Sequence, residues 1–230
     1  NYLPFLTHLY MSHNFRLAFK RGVSLSSTSL KYLDISFCNM NEINIEGLLN
    51  VDIVILRGNM LRTLSSRIFY NNTKLEYLDL SSNAIAEISE HAFHGLISLK
   101  QLNLSVNVIP SLEGDMFLQN PNLTEVILSR NQISSLSELR SSSIIYLDIS
   151  VCEIQYIESN TLSKMPSLLE LDLSRNFLSY IPSLKSNSLQ ILDLSFNRIS
   201  SIDNITFKFL PKLTTLHLFE NRFTTVWKVS

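Results

Sequence analysis

One spacing governs what this chain can become. An apolar residue, two others, an apolar residue, one other, an apolar residue, two others and then Asn, or Cys in two copies, recur ten times, beginning at Leu6, Leu30, Val51, Leu75, Leu99, Leu123, Ile144, Leu168, Leu189 and Leu213. Successive copies lie 21 or 24 residues apart, and no linker or domain boundary interrupts them. A unit of roughly two dozen residues cannot enclose a core of its own, so neighbouring units must stack and bury one continuous apolar column. The whole of 1–230 therefore reads as one repeat domain.

In the copy Leu75-Glu76-Tyr77-Leu78-Asp79-Leu80-Ser81-Ser82-Asn83, Leu78 and Leu80 alternate with Tyr77, Asp79 and Ser81. Period two marks a short strand with one buried face. The spacing predicts ten parallel strands centred on Leu9, Leu33, Val54, Leu78, Leu102, Val126, Leu147, Leu171, Leu192 and Leu216. A second apolar set follows each strand. In the copy from Leu75 it is Ile85, Ile88, Phe93 and Leu96, and the Phe position is filled again by Phe69, Phe117 and Phe207, with Leu48 and Leu162 substituting. That recurrence predicts an aromatic spine behind the sheet.

This pattern strongly resembles the leucine-rich-repeat family, over essentially the whole chain. The resemblance implies an α/β-type repeat solenoid, a right-handed curved horseshoe segment with a parallel concave sheet and irregular convex loops. It also implies about ten repeats without terminal caps. Extracellular members close their ends with disulfide-rich caps, so Asn1 and Ser230 are read as cuts within a longer solenoid, or as ends whose natural caps lie beyond them.

The ninth position of the motif is Asn14, Asn59, Asn83, Asn107, Asn131, Asn176, Asn197 and Asn221, with Cys38 and Cys152 in the second and seventh copies. A buried amide there can bond backbone of its own turn and the next, which makes the row a structural ladder. With strands about 4.8 Å apart, five repeats hold the two cysteines roughly 24 Å apart, beyond the approximately 7 Å that a disulfide spans. Both are expected as free buried thiols.

Little else could carry chemistry. His8 with His13 and His91 with His94 are the only close histidine pairs, and neither has metal-ligand spacing, so both are read as surface histidines on separate turns. Phosphate loops, a nucleophile elbow and paired carboxylates are missing, so neither catalysis nor a cofactor or metal is expected. The Asp column at Asp34, Asp79, Asp148, Asp172 and Asp193 and the Ser column two residues later match the family's common wording and suit strands entering turns. Lys plus Arg (19) nearly balances Asp plus Glu (20), which disfavours nucleic acid as a partner. No apolar run is long enough to span a bilayer, so this segment is not expected to insert in a membrane, and the amino terminus does not read as a secretion signal.

Repeats of this length with a convex Phe resemble the class found in secreted proteins and receptor ectodomains, including Toll-like receptors and adhesion proteins. That resemblance implies an extracellular place, secreted or on a cell-surface protein, and non-catalytic binding of a protein ligand, a co-receptor or a second copy. An intracellular scaffold or regulatory subunit built from the same repeats is the alternative. Glycosylation sequons occur at Asn71, Asn103, Asn122 and Asn204, about as many as chance gives in a chain this rich in Asn, Ser and Thr. One strand breaks the polar wording: its outward residues are Ile53, Ile55 and Arg57. With strands in register, Tyr32 and Tyr77 should flank Ile53, giving a patch of the composition found at interface hot spots.

Overall fold

The computed structural model describes residues 3–17, 24–136, 139–203 and 205–225. Twelve short strands follow in order: β1 His8–Tyr10, β2 Tyr32–Asp34, β3 Ile53–Ile55, β4 Thr63–Leu64, β5 Tyr77–Asp79, β6 Glu87–Ile88, β7 Gln101–Asn103, β8 Glu125–Ile127, β9 Tyr146–Asp148, β10 Glu170–Asp172, β11 Ile191–Asp193 and β12 Thr215–His217. All but β4 and β6 form one ten-stranded sheet in chain order. Every pairing is parallel, and the motif positions face one another without slippage, Leu33 against Val54 and Leu171 against Leu192. The ten predicted strand centres are the middle residues of these ten strands. The result is a right-handed solenoid whose parallel sheet lines the concave face.

Register follows from the inward leucines, because a slip of one residue would turn every apolar side chain to solvent. The central residues of β2 through β11 in the main sheet are fully buried. Leu9 and Leu216, in the first and last strands of the sheet described, are partly buried. On the convex side β4 pairs with β6, and the only helical turn among the described residues is a 3₁₀ turn, Thr161–Lys164. Phe69, Phe93 and Phe117 are buried there with ring centroids 6.5 and 5.6 Å apart. The spine stops after Phe117. The next repeat is a 21-residue one with Ser141 in the Phe position, and that hydroxyl accepts the N–H groups of Ser143 and Ile144. The same Ser-x-Ser turn precedes Leu30 and Leu189.

The ladder amides join neighbouring repeats. Asn107 donates from Nδ2 to Leu80 O (3.1 Å) in the previous repeat and Leu104 O (2.9 Å) in its own, while its Oδ1 accepts the Ile85 N–H (2.9 Å). Asn59, Asn83, Asn131, Asn176, Asn197 and Asn221 make the corresponding bonds. Among the described residues, the Asn14 side chain in the first repeat bonds only Met11 O and Ser12 O. Cys38 and Cys152 are free and buried. Their thiols stand in for the amide donors, Cys38 towards Met11 O and Ser36 O and Cys152 towards Leu128 O. Burial pushes the Cys152 thiol up to about 11, so it stays protonated and unreactive near neutral pH.

Two features have no counterpart in the sequence reading. Asn72 and Asn120 form a second set of buried amides under the convex turns, bonding Ile45 O and Leu48 O, and Phe93 O and Leu96 O. The residue before each ladder position, from His13 and Phe37 through Val106 and Val151 to Phe196 and Glu220, takes a left-handed backbone with φ between 52 and 68°. Only one of the ten, Gly58, is glycine. An L-residue in this conformation costs on the order of 1 kcal/mol, which the ladder bonds on either side of the turn offset. At Gly58 a Cβ would meet the Phe37 ring, which would have to shift to admit it.

Candidate binding surface

Outward side chains of the sheet form straight columns because all ten strands are in register. Tyr32, Ile53 and Tyr77 sit side by side, as do Asp34, Ile55 and Asp79. The sequence-predicted patch is thus brought together, with Arg57 exposed beside it. It also extends further than the sequence reading placed it. His8 lies opposite Tyr32 in β1, Tyr10 and Tyr32 have ring centroids 4.9 Å apart, His8 and Tyr32 5.7 Å, and Tyr10 is 65% exposed. Burial, aided by the carboxylates of Asp34 and Asp79, raises the Tyr32 and Tyr77 phenols above their ordinary range, so both remain neutral donors.

The Asp column has a structural task that makes β3 unusual. Asp34, Asp79, Asp148, Asp172 and Asp193 each accept the N–H of the Ser two residues on, at 2.8 to 2.9 Å. Asn103 does the same for Ser105 at 3.0 Å. Ile55 has no atom for this bond. Such a bond contributes about 1 kcal/mol, and in β3 it is replaced by a half-buried aliphatic side chain facing the concave surface. Ile127 and Ile191 also break the polar wording, Ile127 between Asn103 and Asp148 and Ile191 between Glu170 and Thr215, but each is the single aliphatic outward residue of its strand. In β3 two aliphatic residues, Ile53 and Ile55, face outward on one strand, and Tyr32 and Tyr77 stand on either side of Ile53.

Farther along, the concave face turns acidic, with Glu125, Asp148, Glu170, Asp172 and Asp193 on β8 to β11. Burial raises the Asp172 carboxyl above the usual range, and Asp148 and Asp193 in the adjoining strands add to it. On the rim where the strands end, the Arg175 guanidinium lies 3.9 Å from the Phe196 ring centre, Arg198 lies 4.3 Å from that of Phe177, and Phe196 meets Phe219 edge-on at 5.1 Å. The sequence reading missed this cluster, although Arg175 and Phe196 hold the same motif position in consecutive repeats, and so do Phe177 and Arg198.

His91 and His94 share one turn, contrary to the expectation of separate ones, with rings stacked 4.3 Å apart. Burial, then the neighbouring His91 and Arg67, lowers the His94 pKa. Among the described residues no three His, Cys, Asp or Glu side chains are placed to hold a metal ion, and no helix is long and apolar enough to cross a membrane. Of the sequons, Asn71 and Asn122 are exposed, Asn103 is half-buried in β7 and Asn204 lies outside the described residues.

Comparison with known proteins places this geometry. Residues 50–109 and 187–229 match a leucine rich repeat family model, and 26–43 and 119–136 match a second one. None of the curated proteins matches the chain significantly. Among solved structures, the TLR13–ssRNA13 complex shares 31% identity over 83% of this chain, with a TM-score of 0.75. Human 5T4 (Wnt-activated inhibitory factor 1, trophoblast glycoprotein) shares 25% over 81%, with a TM-score of 0.65 and 76% of its own chain covered. Toll of Drosophila, solved with Spatzle, shares the fold at 22% identity over 85% of this chain, with a TM-score of 0.64. The chain spans 29% of the TLR13 structure and 31% of Toll. With ten in-register strands, a continuous ladder and family models matching along its length, the chain belongs to the leucine-rich repeat family.

Proposed function

We propose that this chain is the recognition part of an extracellular leucine-rich-repeat receptor or adhesion protein, and that it binds a protein partner through the concave patch centred on β3. One observation carries the reading. At Ile55 the strand gives up the carboxylate that caps its neighbours' turns, so that β3 presents two aliphatic side chains, Ile53 between Tyr32 and Tyr77 and Ile55 between Asp34 and Asp79, with Arg57 exposed beside them. Tyr and Arg around a semi-buried apolar centre is hot-spot composition. The likeness to TLR13, solved with ssRNA13, makes nucleic acid an occupant to test and withdraws support from its exclusion on charge balance alone. The carboxylates of β8 to β11 oppose a phosphate backbone on the same face, which favours a protein.

In a screen of the purified chain against secreted and cell-surface proteins, the Ile55→Asp/Arg57→Ala variant should keep its melting temperature and lose about 1 to 3 kcal/mol of affinity for the partner found. Unchanged affinity in the folded variant would remove the patch from the interface. The extracellular place has its own test. When the chain is secreted from cells, peptide mapping should find sugar on the exposed Asn71 and little on Asn103, which is half-buried in β7. Absence of sugar at every sequon would favour the intracellular scaffold.

A further inference from the structure

A cavity of about 460 Å³ opens between the 3₁₀ turn Thr161–Lys164 and the segments that lead into β11 and β12. Its volume falls within the range of small-molecule sites. Its apolar walls are Leu162, Pro166, Pro211 and Phe209, and its rim carries Lys185 and Lys208. Phe209 is 44% exposed although large and apolar. Backbone pairing fixes it opposite Lys185, and the Ser186 N–H donates to Phe209 O at 3.1 Å. Two ammonium groups share this one ring, Lys185 Nζ at 5.8 Å and Lys208 Nζ at 5.7 Å from its centre. Among the described residues, neither ammonium has a carboxylate within ion-pair distance. Two like charges are thus held beside one apolar wall with donors unspent.

We propose that this cavity binds an anionic ester of an aromatic ring, as presented by a sulfated or phosphorylated tyrosine of a partner protein. The charged end would accept charge-assisted hydrogen bonds from Lys185 and Lys208. The ring would lie against Phe209 and the prolines, in the offset or edge-on contact that aromatic groups favour. A sulfated sugar has the same charge and could bond the polar lining of Ser163, Ser186 and Asn187, but it would leave the Phe209 ring and the two prolines without an aromatic partner. The inference rests on the chain being a protein-recognition segment. It does not depend on the patch at β3, which lies on another face of the solenoid.

The probes are small molecules, so the test needs no identified partner and its failure is separate from that of the concave patch. Phenyl sulfate, phenyl phosphate, O-sulfotyrosine and phosphotyrosine are titrated into the full chain by calorimetry, with inorganic phosphate, phenol and glucosamine 6-sulfate alongside. The aryl esters should bind saturably at one site, about tenfold or more tighter than inorganic phosphate, phenol or the sulfated sugar. Lys185→Gln/Lys208→Gln should weaken them by about tenfold or more, and Phe209→Leu should weaken them while sparing the fold. Lys74→Gln, at an exposed lysine outside the cavity lining, should change nothing. Preference for the sulfate ester would assign the partner to the secretory route, and preference for the phosphate ester to the cytosol. No saturable binding, equal binding of the sulfated sugar or inorganic phosphate, or unchanged affinity in the folded lysine variant would overturn the proposal.

Discussion

Phe93→Ala should destabilise the chain by about 3 to 5 kcal/mol, the cost of emptying a fully buried aromatic site that cannot collapse. Phe93 is the middle ring of three, between Phe69 at 6.5 Å and Phe117 at 5.6 Å, and all three are sealed from solvent. Its removal strips contacts from both neighbours at once. Because each repeat is held mainly by the repeats beside it, the loss should not spread evenly. Hydrogen exchange should show amides of 51–120 opening first, with those of 168–200 nearly unchanged. Phe93→Leu, which the chain itself uses at the corresponding Leu48 and Leu162, should cost distinctly less. A change below about 1 kcal/mol for the alanine variant would mean that the spine contributes little beyond ordinary burial.

Asn107→Ala should be comparably severe for a different reason. It leaves the Ile85 N–H buried without a partner, at about 1 to 3 kcal/mol, and takes one of two amide donors from each of the carbonyls of Leu80 and Leu104, which keep Asn83 and Asn131, at about 1 kcal/mol each. A total of about 3 kcal/mol or more is expected in denaturant unfolding. Asn107→Cys should fall between the wild type and alanine, because a thiol supplies a donor, as Cys38 does towards Met11 O, but no equivalent of the amide carbonyl. Asn14→Ala should cost at most about 1 kcal/mol, since Asn14 is exposed and, among the described residues, its side chain bonds only its own turn. Equal losses at Asn14 and Asn107 would show that the amides act within their own turns rather than between repeats.

These two positions mark what the sequence could and could not convey. Strand centres, the ladder and the columns of Tyr32, Ile53 and Tyr77 were legible because they depend on phase alone: once the period is known, residues at equal offsets must meet. The same logic would have paired Arg175 with Phe196. Asn72 and Asn120 stayed hidden because only two of ten repeats carry the second amide, so no period announces it. The lysine-lined cavity joins residues at unequal offsets, Leu162, Lys185 and Phe209, and its shape depends on how irregular convex segments pack. The left-handed row was invisible for the opposite reason. It occurs in every repeat, but the usual compositional marker, glycine, is present only at Gly58.

That row has a consequence for how such a molecule can change over generations. The left-handed turn is held by backbone and ladder, and the positions that adopt it carry histidine, phenylalanine, serine, valine, arginine and glutamate in one chain. Apart from Gly58, where a Cβ would meet the Phe37 ring, folding places little demand on which side chain stands there. Inherited substitutions along this line can alter charge, size and aromatic character at the edge of the sheet while the scaffold beneath stays the same. Divergence in what the rim touches is therefore open to the lineage without a matching loss of foldability.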